Sequence, residues 1–226
     1  MAEIWIQEEL TEKFLDEADH HMRVDGSIQS IYFMSEGTEG DYVERNQKFL
    51  QDFLIAQDKY PLYLTFIAYD DHTKDIVSLF KEKKIEYTLT QLEEKRTYYT
   101  LFKKHHYHPP CFTVKIMDSN ILSFILEETY WLPAQNEFYS ISYDRNLSFH
   151  LREIKEWGRK KERSIPVIHV GAKTTFITIS HDGAGFYLFS NEDKYSTVNN
   201  LCSHLPEGTI ITQINDTLLD GGRGEK

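Results

Sequence analysis

The 226-residue sequence predicts an α/β protein of the α+β kind, with mixed, mostly antiparallel sheets and helices packed on them. Short β-branched and aromatic runs alternate with segments of helical periodicity, as in chains that combine both elements. Two of these runs, 176–179 and 186–189, flank a six-residue segment with two glycines, which is typical of a hairpin. The apolar content of 40% is sufficient for a sizeable core.

The first hundred residues predict the order α-β-α-β-α-β-β. The apolar stripe in 9–22 indicates an amphipathic helix, and a stronger stripe predicts a second helix over 42–57. Asp41 followed three residues later by Glu44 resembles a capping box for that helix. The remaining predictions are strands at 27–34, 62–69, 85–92 and 97–103, and a third helix after Asp70-Asp71.

The segment 105–110 predicts a boundary, because two consecutive prolines end regular structure. It divides the chain into an acidic N-terminal α/β subdomain, 1–108, and a strand-rich C-terminal α+β subdomain, 109–226. The second subdomain is expected to contain strands at 112–117, 138–143, 147–157, 167–170, 176–179, 186–189 and 209–214, and helices at 118–128 and 194–204. Residues 147–157 also fit a helix, 132–136 and 158–163 are expected to be loops, and 164–190 should be the centre of the core sheet.

The negative charge is concentrated in one part of the chain. Net charge is −11, and residues 1–75 contain 17 Asp/Glu against 6 Lys/Arg. Such a surface repels nucleic-acid phosphates and attracts a basic partner, although acidity also serves solubility alone. A basic protein is therefore the expected partner, and nucleic acid is not.

Location and cofactors are constrained by simple features. No run of about 18 apolar residues is present, so no membrane-spanning helix is expected. The acidic N-terminus does not fit a secretory signal, and Cys111 and Cys202 are expected to be reduced thiols of a cytoplasmic protein. No cofactor is predicted, and the sequence leaves the oligomeric state open.

Metal ligands of suitable chemistry occur at His105, His106, His108 and Cys111. Imidazole and thiolate bind zinc or copper. Structural zinc sites usually combine two separated ligand pairs, and a second pair is missing. The simpler interpretation is a polar linker between subdomains.

Asp70, Asp71 and His72 follow a predicted strand and precede a helix. Ligands of open α/β sheets bind at that edge, where carboxylates often hold Mg²⁺. These residues would be the catalytic group of a metal-dependent hydrolase or nuclease. Acidic residues are equally typical of helix N-termini.

Two further patterns give weaker indications. Ser180-His181-Asp182 has the residue types of a catalytic triad, but neighbouring side chains on a strand alternate faces and cannot form one. The basic stretches 81–84, 103–104 and 159–163 lie near aromatic residues in the sequence: Tyr98, Tyr99, Phe102 and Tyr107. They suit a stacking surface for single-stranded nucleic acid, or a half-buried sheet face.

The favoured function is that of a non-enzymatic, immunity- or inhibitor-like binding protein of a bacterium or phage. Its acidic N-terminal surface would bind a basic partner through Glu36, Glu39, Asp41, Asp70 and Asp71. The alternatives are the hydrolase or nuclease based on Asp70 and Asp71, and a structural subunit that self-assembles through an aromatic-rich sheet edge.

Overall fold

A computed structural model describes residues 2–18, 21–101, 103–156 and 158–219. The strands in this part of the chain are β1 (Glu3–Glu8), β2 (Arg23–Asp25), β3 (Ser30–Ser35), β4 (Leu62–Ile67), β5 (Tyr87–Gln91), β6 (Arg96–Thr100), β7 (Lys103–Tyr107), β8 (Pro110–Ile116), β9 (Tyr139–Ser142), β10 (Leu147–Glu156), β11 (Arg159–His169), β12 (Thr175–Ile179), β13 (Phe186–Ser190), β14 (Ile210–Ile214) and β15 (Thr217–Leu218). The α-helices are α1 (Thr11–Ala18), α2 (Tyr42–Gln57), α3 (Thr73–Glu82), α4 (Ser119–Thr129), α5 (Trp131–Ala134) and α6 (Val198–Cys202). Short 3₁₀ turns occupy Asp70–His72, His181–Gly183 and Asp193–Tyr195.

Ten strands form the central sheet, in the order β15-β14-β1-β3-β13-β12-β9-β4-β8-β5. A three-stranded sheet has the order β10-β11-β2, and β6 and β7 form a separate hairpin. Among the described strands, only the β1–β14 and β11–β2 pairs are parallel. The predicted α+β class with mixed, mostly antiparallel sheets is therefore confirmed.

One face of the central sheet carries the main hydrophobic core. Alternate residues of each strand point to this face, so Leu62, Leu64 and Phe66 of β4 are all buried there. Helices α2, α3 and α4 cover them; α2 contributes Phe49 and Phe53. The apolar residues that recur periodically in the strands and in the helices thus pack together in one layer.

The opposite face has two smaller cores. The first joins Phe176 and Phe189 of the central sheet to Ile168 of β11, with Phe14 of α1 against it. The second contains Ile67, Leu92 and Cys111, with Phe138 and Phe149 packed alongside. This second layer positions the β10–β11 hairpin across the sheet.

Several predicted elements are confirmed. Helix α2 has the predicted bounds, β12 and β13 form the predicted hairpin, and 147–156 is a strand. Asp118 caps α4, since its carboxylate accepts the amide hydrogens of Asn120 and Ile121 at 2.9 Å. The capping box at α2 was wrong, because Asp41 makes no side-chain capping bond.

The N-terminal region differs from the prediction. Residues 3–8 form β1, which alternates too weakly in the sequence to stand out. The helix expected over 9–22 is the shorter α1, and Leu10 at its start is 75% exposed. Residues 19 and 20 of the predicted helix lie outside the described part.

The segment 105–108 was predicted as part of a linker, and the structure corrects this. It lies largely in β7, which pairs with β6 in register Tyr98↔His105. Pro110 begins β8, where a strand tolerates proline because the first residue need not donate to the ladder. The two prolines therefore lie between β7 and β8, at the junction of two strands.

The basic segment 159–163 is not a loop either. It is the start of β11, which pairs with β10 along ten residues, from Leu147↔Ile168 to Glu156↔Arg159. Consequently 167–169 belongs to the three-stranded sheet and not to the central one. The expected loop at 132–136 is largely α5.

The central sheet combines strands from both sides of residue 108. In its interior order β3-β13-β12-β9-β4-β8, β3 and β4 of the first predicted subdomain lie beside strands of the second. Whether the two parts fold independently stays a prediction, and the strand order defines how to test it. Within the described residues no helix is both long and apolar enough to span a membrane.

Candidate functional site

The strand directions bring the predicted contact residues to one edge of the central sheet. Between β3 and β4 lie β13, β12 and β9, and every neighbouring pair in this series is antiparallel. Strands β3, β12 and β4 therefore run in the same direction and end at the same edge. We call this surface the acidic edge and define it as residues 36–41, 181–182, 70–72 and Trp131.

The loop 36–41 is held by a buried asparagine of α2. The Asn46 side-chain oxygen accepts the amide hydrogen of Glu36 at 2.8 Å, and its NH₂ group donates to the carbonyls of Gly37 and Tyr42. Arg45 donates to the backbone carbonyl of Glu39 at 2.8 Å. The acids Glu36, Glu39 and Asp41 are thus presented on a fixed backbone.

Glu36 is the least exposed acid of this loop. Burial raises the pKa of its carboxyl group, and the charge of Arg45 opposes that change. Glu39 and Asp41 are exposed. The loop therefore presents two solvated carboxylates beside one that is partly shielded.

The middle of the acidic edge is the turn between β12 and β13. Asp182 and Asn136 exchange two hydrogen bonds of 2.8 Å, one from the Asn136 amide and one from the Asp182 backbone. His181 Nδ1 lies 2.8 Å from Asp182. The bond from Asn136 lowers the pKa of Asp182, and His181 contributes in the same direction.

Asp70, Asp71 and His72 form an exposed 3₁₀ turn after β4. His72 Nδ1 lies 3.0 Å from an Asp71 carboxylate oxygen, and none of the three side chains caps α3 in the expected way. Beside the turn, the Trp131 ring stacks on Tyr69 with centroids 6.1 Å apart, and its centroid lies 4.9 Å from that of the His72 ring. Trp131 is 36% exposed, so part of its indole ring is open to solvent beside the 70–72 turn.

The predicted partner-binding residues therefore form two groups on one edge. Four strand steps separate β3 from β4, which corresponds to about 19 Å. The Asp182 turn and α5 fill the interval, since the 3₁₀ turn 181–183 contacts both α2 and α5. This span is within the diameter of a standard protein–protein interface.

The candidate metal ligands are not brought together. His105 and His106 are neighbours on β7 and point to opposite faces, and His108 Nδ1 lies 3.0 Å from the carbonyl of Leu92. Cys111 is 3% exposed in the second-face core, where burial raises the pKa of its thiol to about 12. The described residues contain no group of three or more His, Cys, Asp or Glu able to hold a metal ion.

Trp131 and Asn46 are the site residues that sequence reasoning missed. Trp131 follows the predicted helix 118–128 and precedes Pro133, where the sequence pattern predicts no regular element. Asn46 lies within the apolar stripe of α2, where a polar residue signals an unusual role only once its burial is known. The sequence signal was the position of Asn46 in the apolar stripe, which implies burial, and a buried amide needs hydrogen-bond partners.

Comparison of the chain with protein-family models, curated proteins and solved structures found no match. The site must therefore be interpreted from its own geometry and charge.

Proposed function

We propose that this is a non-enzymatic binding protein that docks a basic protein on the acidic edge, as an inhibitor or immunity protein of a bacterium or phage does. The supporting observation is the arrangement of loop 36–41. The backbone of this loop, which carries three acids, is held by hydrogen bonds of buried Asn46 with Glu36, Gly37 and Tyr42 and by one from Arg45 to Glu39. Preorganised groups lose less conformational entropy on binding, so this arrangement favours recognition.

Trp131 gives the acidic edge an apolar contact beside the 70–72 turn. Interface energy is usually concentrated in a few aromatic or arginine side chains that become fully covered. Trp131 has this character, since its ring is supported by Tyr69 and partly open. The acids around it would set the association rate and the choice of a basic partner.

The first test is size-exclusion chromatography of the protein in extract of its source cells at low salt, with mass identification of any stoichiometric partner. The run is then repeated at about 0.5 M salt, where exposed charge pairs are strongly screened. We expect a basic protein that co-elutes only at low salt. Elution of copies of this chain alone would contradict the proposal and favour self-assembly.

Charge reversal then tests the location of the interface. We expect Glu36→Lys, Glu39→Lys and Asp41→Lys together to slow association with the purified partner at least about tenfold. The matched control reverses the same number of charges on α1, at Glu12, Asp16 and Glu17. Equal slowing by both variants would overturn the assignment to the acidic edge.

The hydrolase alternative predicts a different result. If Asp70 and Asp71 hold a divalent cation, Mg²⁺ raises the melting temperature and Asp70→Ala removes that rise. This outcome would replace the binding proposal.

A cytoplasmic location is also part of the binding proposal and agrees with the free thiols Cys111 and Cys202.

A further inference from the structure

Two hairpins flank a cavity of about 530 Å³ next to the end of β4. The β6–β7 hairpin forms one wall and β11 of the β10–β11 hairpin forms the other. Four cationic side chains and two tyrosines line it together with two glutamates and a threonine; the cations and tyrosines are Lys95, Arg96, Lys161, Arg163, Tyr69 and Tyr107. We call this cavity the hairpin cleft.

A buried ionic network fixes the base of the hairpin cleft. Glu94 is 2% exposed and exchanges hydrogen bonds with Ser164 of β11: its carboxylate accepts from the Ser164 amide at 2.6 Å, and its amide donates to the Ser164 hydroxyl at 3.1 Å. Arg96 of β6 donates to Glu94 at 2.5 Å and to Glu137 at 2.6 and 2.8 Å. The network sets the separation of the hairpins and pairs the two buried carboxylates with Arg96.

Both hairpins are basic, in contrast to the rest of the chain. Residues 95–108 contain four Lys/Arg and no Asp/Glu, and residues 150–163 contain six Lys/Arg and three Glu. Net charge of the whole chain is −11. The positive charge is therefore concentrated in the two hairpins that flank the hairpin cleft.

Exposed aromatic rings accompany this charge on β6 and β7. Tyr98 stacks on His105 with centroids 4.9 Å apart and planes 11° from parallel, and Tyr107 packs against Tyr98 edge to face. Tyr99 is 74% exposed on the other face of the hairpin. Phe102, the fourth aromatic residue noted in the sequence, lies outside the described residues.

We infer that the hairpin cleft and the β6–β7 hairpin bind single-stranded nucleic acid. Lys95 and Lys104 would contact phosphates, and bases would stack on the open ring of Tyr99, which pairs with Lys104 across the hairpin and shares its face. Stacking on an aromatic platform beside a basic groove is how such strands are bound without sequence preference. Duplex DNA keeps its bases stacked internally and offers no base face to this ring. An acidic peptide would use the lysines but would gain nothing from stacking.

The test is fluorescence anisotropy with labelled dT15 at about 50 mM salt, with competition by unlabelled dT15, by a 15-base-pair duplex and by a 15-residue polyglutamate. We expect single-stranded DNA to bind and to compete best. We expect Tyr99→Ala to weaken binding at least about fivefold, which is the lower limit for loss of one stacked base.

A double lysine variant tests the phosphate contacts. Lys95→Ala with Lys104→Ala should lower the slope of log affinity against log salt by about 1.4, since each phosphate contact on a single strand contributes about 0.7. The matched control is Lys74→Ala with Lys81→Ala on α3, which removes the same charge away from the hairpin cleft.

Four results would overturn the inference: no binding of dT15 by the unchanged protein, equal loss in the lysine variant and its control, equal competition by the duplex, or stronger competition by polyglutamate. The last would assign the hairpin cleft to an acidic peptide. All of these are independent of the acidic edge, because none of the substituted residues belongs to it.

Discussion

Asn46 shows how one buried polar side chain can organise a surface. Its amide satisfies one backbone N–H and two backbone carbonyls, in loop 36–41 and in the first turn of α2. It does not act as a helix cap, because its oxygen accepts from the loop amide of Glu36 and not from an amide of the first turn of α2. The geometry of loop 36–41 therefore depends on the packing of α2, since Asn46 is a fully buried residue of that helix.

We expect Asn46→Ala to lower the free energy of unfolding by about 2–4 kcal/mol, because backbone groups of the loop lose their partners away from water. Urea denaturation measures this value. Asn199→Ala is the control: Asn199 is exposed on α6, so its loss should change stability by no more than about 0.5 kcal/mol. Similar values for the two variants would show that the loop does not depend on Asn46.

At the scale of elements, hairpins explain most of the differences from the sequence prediction. The β12–β13 hairpin was predicted because apolar runs flank a glycine-containing turn. Strands β6 and β10 were predicted, but β7 and the first part of β11 were missed because polar, charged residues occupy them. Such strands are stabilised by backbone hydrogen bonds along the paired strands. Because these bonds do not require apolar side chains, the hydropathy pattern does not reveal the strands.

Gly185 allows the β12–β13 turn to approach β3 closely. Its φ is +141°, and a Cβ there would lie against the Met34 carbonyl oxygen and 2.9 Å from the Phe33 ring and the Ser35 Cβ. Another side chain at this position would push the hairpin away from β3. The neighbouring bond from the Ser35 hydroxyl to the Ala184 carbonyl, 2.6 Å long, would then be lost.

We expect Gly185→Ala to lower the free energy of unfolding by about 2–5 kcal/mol, from overpacking and an unfavourable φ together. Gly37→Ala is the matched control, since Gly37 has φ +97° and a Cβ added there would meet no atom within 4 Å, and should lose only about 1–2 kcal/mol. Urea denaturation of both variants separates contact from backbone strain. Equal losses would contradict the proposed steric role.

For the whole molecule, the strand order provides a test of the two predicted subdomains. Strand β4 lies between β9 and β8, and β3 pairs with β13, so interior strands of 1–108 have their partners in 109–226. We expect each part, purified alone, to lack a cooperative thermal transition by circular dichroism, and mixing to restore one. A cooperative transition in either isolated part would instead support the division at residue 108.

Negative and positive charges also lie on different surfaces of the molecule. The acidic edge begins at β3, and the hairpin cleft lies beyond β4, with Tyr69 shared between them: it stacks on Trp131 and lines the cleft. Overall net charge averages these surfaces, which is why it argued against nucleic acid. Local charge is what a ligand meets, because exposed charges are screened beyond about 8–10 Å.

The sequence by itself determined the α+β class, the bounds of α2, the β12–β13 hairpin and the acidity of the first 75 residues. These follow from periodicity and composition, which are local properties of the chain. Only the tertiary structure decided which strands are neighbours, and so which distant residues meet. It placed 36–41 and 70–72 on one edge, with Trp131 against His72. It gave His105, His106, His108 and Cys111 no common site, and it joined two basic hairpins around Glu94. Strand pairing determines which residues become neighbours. It cannot be predicted from local sequence, because backbone hydrogen bonds are nearly the same for every residue type.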